Sequence, residues 1–144
     1  MSGNSILLFV IVGRNEPLYE AEFHKRGGAG TTTSDATIRQ NYFVLHSALD
    51  LVERSAWTTN RMHLGVIDKV NNQQVSTFLT AGNIKFMLLH SGRNDDSIRN
   101  FFQDVYELYV KVSVSILDLN YSILMRWWRK LILSSVVLKS ILSL

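Results

Sequence analysis

A continuous run of seven apolar residues near the start of the chain limits the folds that it can adopt. Ile6–Val12 contains no polar residue and stops at Gly13, which is typical of a strand that is buried on both faces of a sheet. The turn that follows leads into residues 18–24, where apolar and charged side chains alternate. Alternation predicts a strand with one covered face, so the two segments are expected to pair as an antiparallel hairpin.

The rest of the body alternates between amphipathic and strand-like segments. After a loop rich in Gly, Thr and Ser at residues 25–37, a helix is predicted to run to about Arg54, and Asn94 or Asp96 can cap a second helix. Three further strands, joined by tight turns, are predicted at residues 62–70, 74–80 and 84–90. The order ββαβββα, followed by a tail, predicts an α+β chain in which helices cover a five-stranded antiparallel sheet.

The first predicted helix, capped by Ser34 or Asp35, has an apolar and a polar face. Its apolar residues recur at steps of three and four and predict one buried stripe of Ile38, Tyr42, Leu45, Leu49 and Val52. The opposite side carries the polar residues Arg39, His46, Asp50 and Glu53. Phe43 lies among these polar residues. It is therefore either a contact for a partner or a side chain half-covered by the loop at 25–37.

The residues that could carry chemistry do not form a recognised site. The chain has no cysteine, and the glycine-rich residues 27–31 lack the lysine that ends a P-loop. No metal-ligand spacing relates the four histidines, which are His24, His46, His63 and His90. His46 and Asp50 could act as a base and its orienting carboxylate, but without a nucleophile motif a surface pair is the simpler interpretation. We therefore expect no enzyme activity, no metal and no cofactor.

The basic charge of the chain is concentrated at one end. The formal net charge is +3 with a pI near 9.3, yet residues 1–110 hold ten basic and eleven acidic side chains. Residues 111–144 hold five basic side chains against one acidic one. A near-neutral body does not favour nucleic acid as a partner. With no signal-peptide pattern and no apolar run of membrane-spanning length, we expect a cytoplasmic protein.

Four stretches of the sequence carry the pattern of a known family. Together they cover about the first three-quarters of the chain, and the most specific pairing is that of TAG at 80–82 with NFF-x-DVY at 100–106. The stretches are residues 9–13 with 18–23 (FVIVG and LYEAEF), 43–52 with 56–59 (FVLHSALDLV and AWTT), 75–90 (VSTFLTAGNIKFMLLH) and 93–111 (RNDDSIRNFFQDVYELYVK). The chain thereby resembles the sedlin family, small subunits of the TRAPP (transport protein particle) vesicle-tethering complex, and looks closest to its plant members.

This resemblance implies a fold, a function and a contact surface. The fold is longin-like (profilin-like), with helices on both faces of the sheet. The function is that of a non-catalytic adaptor in ER-to-Golgi and Golgi vesicle transport, in which other TRAPP subunits catalyse nucleotide exchange on a Rab GTPase. The partners are those subunits and, indirectly, the Rab GTPase. Membrane contact is peripheral at most, at ER-Golgi and Golgi membranes. The acidic position of the A-L-D-L-V motif, here Asp50, lies at a protein-contact surface in the family, so its helix neighbours His46 and Phe43 are expected contact residues.

The resemblance ends after Lys111. We therefore predict a longin-like domain at 1–111 and a divergent tail at 112–144, helical in part. The tail lacks the proline and the Phe-Asp pair with which family members continue. Two explanations are open: the tail arises from a changed reading frame or splice choice, or it is a functional substitute for the family's last helix. A substitute would be a basic amphipathic helix on an anionic membrane, with an apolar face of Leu117, Tyr121, Leu124, Trp128 and Leu131. The alternative function is another longin-like regulatory module, of SNARE or coat-adaptor type, with this tail as a peripheral membrane anchor.

Overall fold

The computed structural model describes residues 6–14, 16–24, 35–92 and 94–115. Within them the order is β1 (Ile6–Val12), β2 (Pro17–His24), α1 (Asp35–Thr58), β3 (His63–Val70), β4 (Gln73–Leu79), β5 (Lys85–His90) and α2 (Asp95–Ser115). The predicted order and the α+β class are confirmed. The strands begin and end within one residue of the predicted positions, because Gly, Pro and Asn punctuate the chain at nearly every strand end.

The five described strands form one antiparallel sheet in the order β2-β1-β5-β4-β3. β1 pairs with β2 along one edge and with β5 along the other, so it lies inside the sheet. All of its described side chains, from Leu8 to Val12, are buried. This confirms the prediction that the opening apolar run is covered on both faces, which is why it shows no alternation.

Helix α1 contacts β3, β4 and β5 and covers one face of the sheet. The helix contributes Val44, Leu45, Ala48 and Val52 to a buried cluster. From the sheet, the cluster includes Leu8, Val10, Val12, Val75, Met87 and Leu89. Of the predicted stripe, Leu45 and Val52 are buried, whereas Ile38, Tyr42 and Leu49 are half-buried. The other buried positions of the helix are Asn41, Val44 and Ala48. Asn41, for example, is buried and its Oδ1 accepts a hydrogen bond of 3.1 Å from Nε2 of Gln73.

The other face of the sheet carries a row of buried aromatic rings. Four adjacent strands contribute one ring each, namely Tyr19, Phe9, Phe86 and Phe78. Neighbouring ring centroids lie 6.3, 6.4 and 5.8 Å apart along this row. Such pairs stabilise a sheet beyond the area that they bury. The row therefore ties together the four strands that the chain contributes at widely separated positions.

The chain divides into two compact units after Gly92, and α2 lies in the second unit. Asn94 caps this helix, because its Oδ1 accepts a hydrogen bond of 3.0 Å from the backbone N–H of Asp96. The buried side chains of α2 recur at steps of three and four and are Ile98, Phe101, Phe102 and Val105. The helix runs to Ser115, and the domain boundary after Lys111 stays a prediction. Both accounts of the tail concern residues beyond Ser115, which lie outside the described residues.

Helix α1 extends one turn beyond its predicted end at Arg54. No glycine or proline occurs between Arg54 and Thr58, and the hydroxyl of Thr58 donates a hydrogen bond of 2.9 Å to the carbonyl oxygen of Ser55. This bond satisfies one of the carbonyl groups that a helix leaves unpaired at its C-terminus. The extra turn places Trp57 on the helix. Neither described helix is long and apolar enough to cross a membrane.

Candidate protein-interaction face

The outward side of α1 is one continuous stripe of exposed side chains. Its members recur at steps of one, three and four along the whole helix, as expected of a helix that buries only its opposite side. They are Arg39, Gln40, Phe43, His46, Ser47, Asp50, Glu53, Arg54 and Trp57. We call these residues the outer face of α1. All three predicted contact residues, Phe43, His46 and Asp50, belong to it.

Phe43 is the first of two large apolar side chains on the outer face. It is 72% exposed, and both interpretations, a partner contact or a side chain half-covered by the loop at 25–37, stay predictions. Residues 25–34 of that loop lie outside the described residues. The carbonyl oxygen of Phe43 accepts a hydrogen bond of 2.8 Å from Oγ of Ser47, one helical turn further on. The aromatic ring thus projects from a regular part of α1 and not from an end of the helix.

His46 and Asp50 do not form the base–carboxylate pair that an active site would need. The ring of His46 instead stacks on that of Tyr42, with centroids 6.4 Å apart and planes inclined by 25°. Among the residues that the structure describes, the Asp50 carboxylate has no hydrogen bond or ion pair. Both side chains are exposed one turn apart. Within the described part of the chain, both groups are therefore exposed, and the carboxylate has no partner there.

Tyr42 anchors this part of the helix to the β1–β2 hairpin. Its partial burial raises the pKa of its hydroxyl above the ordinary value, and the negative charges of Glu20 and Glu22 raise this pKa further. A hydrogen bond from the hydroxyl to the Glu20 carboxylate acts in the same direction. The neutral phenol is therefore the form that fits the fold.

Trp57 is the second large apolar side chain on the outer face, and sequence reasoning missed it. At 91% exposure it is the most exposed of the described large apolar side chains. The helix is predicted to end at about Arg54, so Trp57 is not among the predicted helical residues. The signal was present in the spacing, because Trp57 follows Phe43 at 14 residues and Asp50 at seven. Two heptads would have revealed all three on one helix face.

An open cleft of about 560 Å³ lies beside Trp57. It is formed where the end of α1 approaches the start of β3 and the turn between β4 and β5. Its walls combine apolar and polar residues, namely Glu53, Ala56, Trp57, Thr59, Asn60, Arg61, Met62, Leu79, Thr80, Ala81 and Asn83. The turn is ordered by Thr80, whose Oγ1 accepts a hydrogen bond of 3.1 Å from the N–H of Ile84. This end of the outer face therefore borders a cleft.

A buried lysine secures the outer face to the sheet. Nζ of Lys85, the first residue of β5, lies 3.5 Å from Oε1 of Glu53. The lysine side chain is 2% exposed and the glutamate side chain 62% exposed. A buried cation requires a partner, since its transfer from water is otherwise very costly. Glu53 thus has a structural role as the partner of Lys85, whereas Asp50 on the same face has no ion pair among the described residues.

The remaining histidines offer no metal site within the described residues. No group of three metal-ligating side chains occurs there. His90 is fully buried, and its Nε2 forms a hydrogen bond of 2.8 Å with Oγ of Ser76 on the adjacent strand. This pair satisfies two polar groups inside the sheet. It is closed to solvent and is structural in character.

The architecture defines the class of protein. A β-hairpin, a helix and a three-stranded meander that together form one sheet with β1 beside β5 constitute a longin-like α+β domain. The chain belongs to the sedlin family, whose family model matches residues 10–123. The sedlin resemblance is thereby confirmed.

Named relatives come from animals and yeast. A Caenorhabditis elegans protein and a Drosophila melanogaster protein are both called probable trafficking protein particle complex subunit 2. They are 41% identical over 104 residues and 40% identical over 112 residues, which covers 72% and 77% of this chain and 73% and 79% of theirs. The transport protein particle 20 kDa subunit of Schizosaccharomyces pombe is 34% identical over 108 residues, covering 74% of this chain and 76% of its own. These relatives are thus named as subunits of a trafficking particle.

Proposed function

We propose that this protein is a non-catalytic adaptor subunit of TRAPP, the trafficking particle after which its relatives are named. In this role it supports nucleotide exchange on a Rab GTPase by other subunits, in ER-to-Golgi and Golgi vesicle transport. The observation that carries the proposal is the exposed outer face of α1 in a chain that belongs to the sedlin family. A helix that buries one side and presents aromatic and charged groups on the other is suited to binding a protein.

Phe43, His46 and Asp50 are the proposed contact residues. They lie within two turns of α1 and present a ring, an imidazole and a carboxylate to solvent. Aromatic side chains often contribute a large share of the binding energy at protein interfaces, and a charged neighbour adds specificity. The three side chains therefore combine one anchor with two groups that can select the partner.

The proposed setting is the cytoplasmic side of ER-Golgi and Golgi membranes, where the protein is peripheral and bound through other subunits. The near-neutral charge of residues 1–110 supports protein partners over nucleic acid. The relatives' names support a tethering-particle subunit over a SNARE or coat-adaptor module. That second interpretation depends on the tail beyond Ser115, which is outside the described residues.

Affinity purification of the tagged full chain from cells tests this function. Wild-type protein should recover subunits of the tethering particle, identified by mass spectrometry. A triple variant, Phe43→Ala with His46→Ala and Asp50→Ala, should recover them at least about tenfold less. The matched control replaces three exposed residues of α2 by alanine, namely Arg99, Gln103 and Glu107.

The possible outcomes test the proposed function and the proposed contact residues separately. If the wild-type chain recovers no subunit of the particle, the proposed function is wrong. If the wild-type and triple-variant chains recover the subunits equally, the function stands and the contact residues are wrong. Equal thermal midpoints of the variants and the wild type establish that any loss reflects binding and not folding.

A further inference from the structure

Three exposed side chains divide the outer face of α1 at equal intervals. Phe43, Asp50 and Trp57 follow one another at seven residues, and seven residues of an α-helix fall only about 20° short of two full turns. All three therefore lie within about 40° of one line, and 14 residues span about 21 Å along the helix axis. The outer face thus carries one row, with an aromatic side chain at each end and a carboxylate at its midpoint.

We propose that the docking surface of this protein extends along this entire row to Trp57, and that its occupant is an α-helix of a different protein. That helix carries a cationic side chain between two apolar positions. The inference rests on the proposed function for the identity of the complex that supplies the helix. It adds a second aromatic anchor, Trp57, and the chemistry of the partner.

The spacing of the row favours a helix as the occupant. A seven-residue interval corresponds to about 10.5 Å along α1, and a partner helix with a heptad pattern repeats its apolar positions at the same distance. An extended strand covers this distance in about three residues. Because successive strand side chains alternate between two faces, an odd number of residues would turn the next side chain away from α1. A helix is thus the element that reaches all three positions.

The Asp50 carboxylate at the midpoint determines the charge of the occupant. Asp50 has no ion pair or hydrogen bond among the described residues, whereas Glu53 on the same face is paired with Lys85. Burying Asp50 beneath apolar side chains would leave a desolvated charge without compensation, at a high cost. An arginine or lysine at the facing position removes that cost and fixes the register of the two helices.

The midpoint position of Asp50 also argues against a second copy of this chain. Seven residues separate Asp50 from Phe43 and seven from Trp57. If two α1 helices paired about a two-fold axis at the centre of the row, each Asp50 would face the other. Two carboxylates in a desolvated interface repel one another. The row is therefore complementary to a different protein that supplies the opposite charge.

Photo-crosslinking of the full chain in cells tests the inference. A benzophenone-bearing amino acid replaces Phe43 in one variant and Trp57 in another, and the crosslinked peptides are identified by mass spectrometry. Both variants should crosslink to the same subunit of the tethering particle. The two sites on that subunit should lie about 14 residues apart in one helical segment, with a lysine or arginine between them.

Substitution provides the quantitative readout. Trp57→Ala should lower the recovery of particle subunits at least about tenfold, whereas Trp57→Phe should retain most of it. Val66→Ala is the matched control, since Val66 is an exposed apolar residue on β3 away from the row. Asp50→Lys should abolish recovery, and replacing the facing cation of the partner by glutamate should restore it. Equal thermal midpoints exclude misfolding.

Several results would overturn the inference while leaving the proposed function intact. They are full recovery of the particle by Trp57→Ala, crosslinks from positions 43 and 57 to different polypeptides, and crosslinks to a second copy of this chain. A wild-type chain that recovers no particle subunit would instead refute the proposed function and, with it, the identity of the helix donor.

Discussion

The two faces of α1 show how similar side chains acquire different roles on one helix. On the inner face Leu45 is 1% exposed and packs into the cluster with β1, β4 and β5, whereas on the outer face Phe43 and Trp57 remain in solvent. All three residues are large and apolar, so hydrophobicity alone does not distinguish them. Their position in the 3.6-residue period of the helix determines which of them is buried and which is exposed. Side chains that the fold leaves uncovered in such a row are available for recognition.

Truncation on the two faces is expected to have the largest and most contrasting effect. Leu45→Ala should lower the free energy of unfolding by about 2–5 kcal/mol, because it removes buried methyl groups and leaves a cavity. Phe43→Ala should change this free energy by less than about 0.5 kcal/mol, because its ring is exposed. Urea denaturation at neutral pH measures both values. Equal losses from the two variants would contradict the assignment of inner and outer faces.

The ion pair between Glu53 and Lys85 connects the outer face of α1 to a buried side chain of β5. Glu53→Gln should lower the free energy of unfolding by about 1–2 kcal/mol, since the buried Lys85 side chain loses its carboxylate partner. This value lies below the usual loss for a fully buried pair because Glu53 is 62% exposed. Glu107→Gln, at an exposed position on α2, is the control and should be nearly neutral. A similar effect of both substitutions would show that the pair is not stabilising.

The contribution of Tyr42 to the free energy of unfolding depends on pH. Its pKa in the folded protein is raised, chiefly by burial, so the unfolded chain ionises first as the pH rises. The stabilising effect of the neutral phenol is complete below about pH 10, the ordinary pKa of tyrosine, and is lost as the pH rises through the folded pKa. Tyr42→Phe should therefore show a smaller fall in unfolding free energy between pH 9 and pH 11 than wild type. Parallel curves for the two proteins would contradict this prediction.

Much of the fold was predictable because its signals are local. The apolar run Ile6–Val12, the alternation after it and the turns between the later strands predicted the element order and nearly all strand ends. The polar side of α1 was also predictable, and with it the exposure of His46 and Asp50, whereas the sequence left open whether Phe43 is exposed or half-covered by the loop at 25–37. The exposed row was only partly predicted, because ending the helix at Arg54 removed Trp57 from it. The roles of these side chains in binding stay predictions.

The sequence by itself determined which segments form strands and helices and which side of α1 is polar, since these follow from side-chain periodicity over short distances. The tertiary structure alone decided that β1 lies beside β5, that Lys85 is buried against Glu53, and that Asn41 is buried and bonded to Gln73. Each of these depends on residues far apart in the chain, whose pairing no local pattern specifies. The same holds for the Asp50 carboxylate. Only the folded arrangement shows that the described part of the chain supplies it with no partner.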